Sequence, residues 1–295
     1  MVKQISKCPV CGDNDFENFI TCKDYTVSQE SFSIVSCKSC NFKFTNPRPL
    51  DSEIGKYYKS ENYVSHSDTR RGLINRLYHL VRSRTLRQKL RLISKYVSRG
   101  TILDYGCGTG MFLKTCSEAG WRAYGFEPDP DARALVLNKG LVAESEKERL
   151  ASNRYDIITL WHVLEHVTDL DQTLQFFKDH ISDKGRLIIA VPNYRSWDAE
   201  YYKEFWAGYD VPRHIYHFEL NTIEKLLGRF GFSLDETTPM IFDSYYVSML
   251  SEKYKSGSIN YIRAFLSGFR SNVKAKAPHQ YSSVIYVFKR IIGDN

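Results

Sequence analysis

Three groups of residues in this chain have types and spacings that could do chemistry. Cys8-Pro-Val-Cys11 and Cys37-Lys-Ser-Cys40 are two CxxC pairs separated by 25 residues. Four thiolates so spaced can close a tetrahedral site about 2.3 Å from a zinc ion, with no position left open for substrate, which makes the site structural rather than catalytic. Two matched pairs near glycine and aromatic residues fit a zinc ribbon better than a redox CxxC, and an iron–sulfur cluster is the alternative that four cysteines leave open. The second group is ILDYGCGTG at 102–110, where Asp104 precedes Gly106, Gly108 and Gly110. Glycines there let the backbone take positive φ and approach a ligand, and a helix beginning near Met111 would offer free amides to a carboxylate. The third group is histidine: His162 and His166 in WHVLEHV, and His214 and His217 in DVPRHIYHF. Histidine is the side chain best suited to move a proton near neutral pH.

The elements that must position these groups alternate in type from Thr101 onward. Short apolar strands at Thr101–Tyr105, Arg122–Phe126, Tyr155–Trp161 and Arg186–Val191 are separated by helix-like stretches, the pattern of βαβ units on a parallel sheet. Phe232–Leu234 and Ser283–Phe288 read as two further strands. The expected fold is α/β, Rossmann-like and doubly wound, with a seven-stranded, mostly parallel sheet. It is preceded by a zinc-ribbon-like subdomain over 1–46 that ends at the loop signal Asn46-Pro47-Arg48-Pro49, and by mostly helical residues over 47–99. The main domain then covers 100–295, with an insertion at about 243–280 able to cover an acceptor.

In such a sheet ligands sit at the carboxyl ends of strands, and Glu127 at the end of the second strand can bind both hydroxyls of a ribose. The GxGxG spacing, with an acid two residues upstream, favours adenosylmethionine over a dinucleotide. Over roughly residues 100–240 the chain resembles class I S-adenosylmethionine-dependent methyltransferases. The resemblance implies that Asp104, Gly106, Gly108 and Gly110 hold the methionine end of the cofactor and Glu127 its ribose, with Trp161 and His162 close by. The layout as a whole is similar to zinc-knuckle methyltransferases of polysaccharide and modified-sugar pathways, including nucleotide-sugar C-methyltransferases. That similarity implies His214 against the acceptor, with His166 as a second site histidine, and puts Arg213 where those proteins carry an acid. His214, or else His166, is then the expected base, Arg213 a possible anchor, and Tyr63, with Tyr57 and Tyr58, a lining of the same opening. Glu165 is misplaced for an HExxH site, so catalytic zinc is not expected between His162 and His166.

Composition bounds the partners. The net charge is +7, but residues 70–99 hold ten Lys and Arg and no acid; without those ten the rest of the chain carries −3. A solvated helix face is the expected role of that segment, and attraction to phosphate or peripheral contact with an anionic membrane is the alternative. Nucleic acid is not the expected partner. No apolar run reaches the roughly 18 residues of a membrane span, the N-terminus has no secretory pattern, and a cytoplasmic location is expected. The expected function is methyl transfer to a small, possibly phosphate-bearing acceptor such as a nucleotide-linked sugar. The alternatives are an RNA or protein methyltransferase using the zinc knuckle and basic helix, and a non-catalytic binding module.

Overall fold

Two main sheets and a two-stranded ribbon carry the chain in a computed structural model that describes residues 2–58 and 73–291. The N-terminal part contributes β1 (Val2–Lys3), β2 (Phe16–Lys23), β3 (Ser31–Cys37), β4 (Lys43–Thr45) and β5 (Arg48–Pro49), followed by a 3₁₀ turn at Ile54–Tyr58. β1 pairs with β5 alone. β2, β3 and β4 form an antiparallel sheet.

The main domain begins with helix α1 (Leu73–Tyr96), then β6 (Thr101–Tyr105), α2 (Met111–Glu118), β7 (Arg122–Phe126), α3 (Pro130–Leu137), β8 (Val142–Glu144) and β9 (Tyr155–Trp161). It continues through α4 (Leu170–His180), β10 (Ile181–Pro192), α5 (Trp197–Tyr202), β11 (Tyr216–His217), α6 (Leu220–Gly228) and β12 (Phe232–Pro239). Helices α7 (Asp243–Ser256) and α8 (Tyr261–Lys274) follow, and β13 (Ser283–Arg290) closes the domain. The strand order is β12-β13-β10-β9-β6-β7-β8, with β13 antiparallel to both neighbours and the other pairs parallel. This is the seven-stranded, mostly parallel sheet expected from the alternating pattern.

Central strands covered on both faces must be apolar almost throughout. Leu187 to Val191 and Ile157 to Leu160 are accordingly buried. Helices are punctuated by side chains: Asp169 caps α4 by accepting from the Gln172 amide, and Glu219 and Thr222 form a reciprocal capping box on α6. The basic helix α1 buries Ile93 and packs Leu86 and Leu90 beside Ile102, Ile157 and Ile188, while Arg84, Arg87 and Arg91 face solvent. Among the described residues, no helix is long and apolar enough to cross a membrane.

The N-terminal sheet does not close on itself. β11, contributed by the main domain after β10, adds to its edge with Tyr216 opposite Phe44 and His217 opposite Lys43. Phe42 and Phe44 share one apolar cluster with Leu160, Leu164 and Phe218. Residues around His214 are thereby stitched to both parts of the chain. The segment at 243–280 is a helical hairpin, α7 against α8.

Candidate functional site

β6 runs into a loop whose three glycines all have left-handed φ, at 74°, 54° and 75°. A Cβ added at Gly106 would come within 2.6 Å of Val163, so the close packing there admits only glycine, whereas a Cβ at Gly108 would meet nothing within 4 Å. Gly108 therefore borders open space. Its amide donates to Glu127 Oε2 at 2.7 Å, and the Asp129 amide donates to Oε1 at 3.0 Å. Glu127 is buried at the carboxyl end of β7, and that burial raises its pKa. Gly110 starts α2 with no side-chain cap, so the first amides of the helix are available to a ligand.

Beneath the loop, Asp104 is buried and accepts a hydrogen bond from Thr159 Oγ1 at 2.7 Å. Burial pushes its carboxyl up to about 6, against the pull of Thr159 and Lys89. Lys89 of α1 reaches over this face, its ammonium 4.1 Å from the Trp161 ring centroid and 6.0 Å from that of Phe112. Burial lowers Lys89 to about 8, while Asp104 and Asp243 favour its charge. The buried Nε1 of Trp161 has no hydrogen-bond partner among the described residues. An open glycine cradle, a ring of alternating charge and an unpaired buried donor fit a zwitterionic, ribose-bearing cofactor. Lys89 was legible in the sequence only as one of ten basic residues.

β9 delivers the other half. His162, just past its end, has φ 58°, a conformation uncommon for a residue other than glycine. Its amide donates to the Ala190 carbonyl, and its ring lies 3.0 Å from Asp243 Oδ2 and 3.4 Å from Glu165 Oε1. Burial opposes its charge, but Asp243 and Glu165 outweigh that and raise the imidazole to about 9. The next turn, Leu164–His166, is a 3₁₀ turn, so His162 and His166 do not share a helical face: one turns to α7, the other to the loop at 210–214.

Glu165 is 1% exposed, and neither of its carboxylate oxygens has a hydrogen-bond partner among the described residues. Burial pushes its pKa up, yet the imidazoles, His162 first, hold it below the usual carboxylate range. His166 and His214 meet edge to face with centroids 4.6 Å apart, and ligand atoms of Glu165, His166 and His214 lie within 4.8 Å of one another. His214 Nδ1 is 2.9 Å from the Gly208 carbonyl and His166 Nδ1 is 3.0 Å from the Arg213 carbonyl. Carbonyls only accept, so both Nδ1 atoms carry a proton, and in the neutral ring the lone pair is on Nε2. The Tyr58 hydroxyl lies 2.9 Å from His166 Nδ1. Burial, then the nearby His214, lowers His166 to about 4.

Arg213, expected as a possible anchor, has a guanidinium engaged within the chain. Its guanidinium is 1% exposed and donates to both oxygens of Asp210, to Asp24 Oδ1 and to the Tyr57 carbonyl. It is turned inward and clamps its own loop to two distant segments. Thr45 completes the clamp, its hydroxyl donating to the His214 carbonyl and its amide to that of Ile215. His217 is buried against Thr45 Oγ1, the same hydroxyl that donates to the His214 carbonyl. Tyr63 lies outside the described residues. Asp210, Asp24 and Asp243 were not singled out in the sequence; isolated acids carry no local signal.

At the N-terminal end, Cys8 Sγ is 3.5 Å from Cys40 Sγ and Cys11 Sγ 3.5 Å from Cys37 Sγ, and all four sulfurs lie within 4.8 Å of one another. Sulfurs about 2.3 Å from a tetrahedral ion stand at such separations. Elsewhere, a polar cleft of about 480 Å³ lined by Asn193, Arg195, Glu219 and Lys274 shares no residue with the glycine loop or the histidine pair.

Comparison with known proteins places this geometry. The chain is 24% identical over 153 residues to the ubiquinone biosynthesis O-methyltransferase of Rickettsia typhi, covering 48% of this chain and 60% of that protein. It is 25% identical over 158 residues to the protein of the same name from Azorhizobium caulinodans, covering 48% and 62%. The chain thus spans about three fifths of the length of these curated relatives. The fold is similar to that of magnesium protoporphyrin IX methyltransferase from Synechocystis PCC 6803, solved with bound S-adenosylhomocysteine, at a TM-score of 0.52 and 16% identity over 82% of this chain and 100% of that one. The family model described as a methyltransferase domain matches residues 78–237, more than half the chain, and this protein belongs to that family.

Proposed function

We propose that the chain transfers the methyl group of S-adenosylmethionine to a hydroxyl-bearing small molecule, a saccharide or nucleotide-linked sugar, with His214 accepting the acceptor's proton. One juxtaposition carries the reading: Val163 packs beside Gly106 of the cofactor loop, and the turn that follows it brings Glu165 and His166 against His214. When bound, adenosylmethionine supplies a methyl carbon already activated by a positive sulfur, so positioning accounts for much of the rate. Glu127 would hold the ribose, the Gly108 region the methionine backbone, and Lys89 its carboxylate. Asp104, buried below, would set the loop.

His166 is held so far below neutral that it is a weak base, and the proposed proton acceptor is therefore His214. Its ring has a nitrogen within 4.8 Å of the buried Glu165 carboxylate and its Nε2 lies 3.9 Å from Asp210 Oδ2, so two negative groups would stabilise the imidazolium as the acceptor oxygen takes the methyl group. The four cysteines would hold a structural Zn²⁺ that stiffens the sheet beneath this loop. The names of the curated relatives support an oxygen acceptor and favour, as a second reading, an intermediate of ubiquinone biosynthesis.

Calorimetry on zinc-loaded protein should give roughly micromolar adenosylmethionine binding. Release of S-adenosylhomocysteine in the presence of nucleotide sugars or quinone precursors then reports the acceptor class. His214→Asn should cut turnover by roughly 10²–10⁴-fold with cofactor affinity unchanged. A folded wild type that does not bind adenosylmethionine would sink the enzyme reading, and an unchanged rate in the variant would remove His214 from the chemistry.

A further inference from the structure

Helix α8 is amphipathic in the wrong sense for a soluble surface. Its buried positions are small or polar, Ala264, Ser267, Gly268 and Ser271, while Ile262, Phe265, Leu266, Phe269 and Val273 are exposed, from 44% at Leu266 to 75% at Ile262. The inward face is small because α7 lies so close: a Cβ at Gly268 would come within 2.9 Å of the Tyr245 Cα. Packing within the chain therefore uses the narrow side of the helix, and five large apolar side chains spaced i, i+3, i+4, i+7 and i+11 form one outward stripe. A contiguous exposed patch of this kind marks an interaction surface. Charge decides what it meets. Residues 253–276 contain six Lys and Arg and no Asp or Glu, and Lys255, Arg263, Arg270, Lys274 and Lys276 are exposed around the stripe.

We propose that α8 seats the protein on an anionic lipid bilayer, with the Ile262–Phe265–Phe269–Val273 stripe in the acyl boundary and the flanking cations among the headgroups. A second copy of the chain fits poorly, because a self-complementary contact would set this all-positive rim against itself. The proposal does not depend on the methyl-transfer reading, since vesicle binding is read without turnover.

The test is co-sedimentation of the full chain with vesicles of phosphatidylglycerol and phosphatidylcholine, against vesicles of phosphatidylcholine alone. The wild type should pellet with the anionic vesicles and be released as salt rises. Phe265→Glu/Phe269→Glu should lower partitioning by roughly tenfold or more with an unchanged thermal melt by circular dichroism. Should that variant melt early, Arg263→Gln/Arg270→Gln/Lys274→Gln alters only exposed side chains and should weaken binding to the anionic vesicles alone. Wild-type protein that stays in the supernatant while folded overturns the proposal. So does a dimer in sedimentation equilibrium that the phenylalanine variant dissociates without any vesicle binding, which would give the stripe to a second copy.

Discussion

The glycine-loop half and the histidine half of the proposed site are built in opposite ways. The first is local: Asp104 to Gly110 is one strand and its turn, and Glu127 ends the adjacent strand. The second is assembled from afar: Asp24, Tyr57 and Asp210 meet the buried Arg213 guanidinium, and Glu165 and His166 meet His214 of the same loop. A local site tolerates loosening elsewhere because its own strand and helix hold it. An assembled site fails when any of its supports is withdrawn. The N-terminal sheet is one of those supports, through Thr45 and Asp24.

The comparison can be broken most severely at the cysteines. On the order of 10 kcal/mol of metal-binding free energy is coupled to folding at closed zinc sites. Cys37→Ser, or prolonged chelation, should therefore unfold the N-terminal sheet and lower the melting temperature by about 10 °C or more, while what stays folded keeps measurable adenosylmethionine affinity in calorimetry. Equal loss of cofactor binding and of acceptor turnover would show that the halves are not separable.

Next in size, Arg213→Met takes the ion-pair partner from the buried Asp24 and the partly buried Asp210 and should cost about 3–5 kcal/mol in denaturant unfolding. Acceptor turnover should fall with it and cofactor affinity should not. A neutral effect would mean that the clamp is not what holds His214. In the opposite half, Glu127→Ala should weaken adenosylmethionine binding by about 2–3 kcal/mol, roughly a hundredfold, with little change in melting temperature.

The smallest expected effect joins the halves. His162 sits at about 9 in the folded chain against an ordinary 6.5, so its stabilisation is complete below pH 6.5 and is lost as pH rises through 9. Asp243→Asn removes the closest partner of this half-buried pair and should cost roughly 0.5–1 kcal/mol at neutral pH, with a smaller alkaline loss of stability than in the wild type. NMR titration of His162 should show its pKa fall. An unmoved titration would assign the raised value to Glu165 instead.

Spacing along the chain was enough to determine the parallel sheet, the glycine loop with its acidic partner, and the pairing of cysteines into one quartet, because each is a short-range pattern of turn, period or ligand spacing. In the main domain two strands escaped it: β8 is three residues long and β11 two, too short for alternation to register. The fate of charged side chains was a tertiary decision. Arg213 could be read as a free anchor until Asp24, 189 residues away, closed on it, and Lys89 as one more solvated cation until α1 laid it over Trp161. Whether a polar group faces a ligand or a buried partner depends on which distant segments fold against it, since burial without a partner costs more than any local propensity can offset.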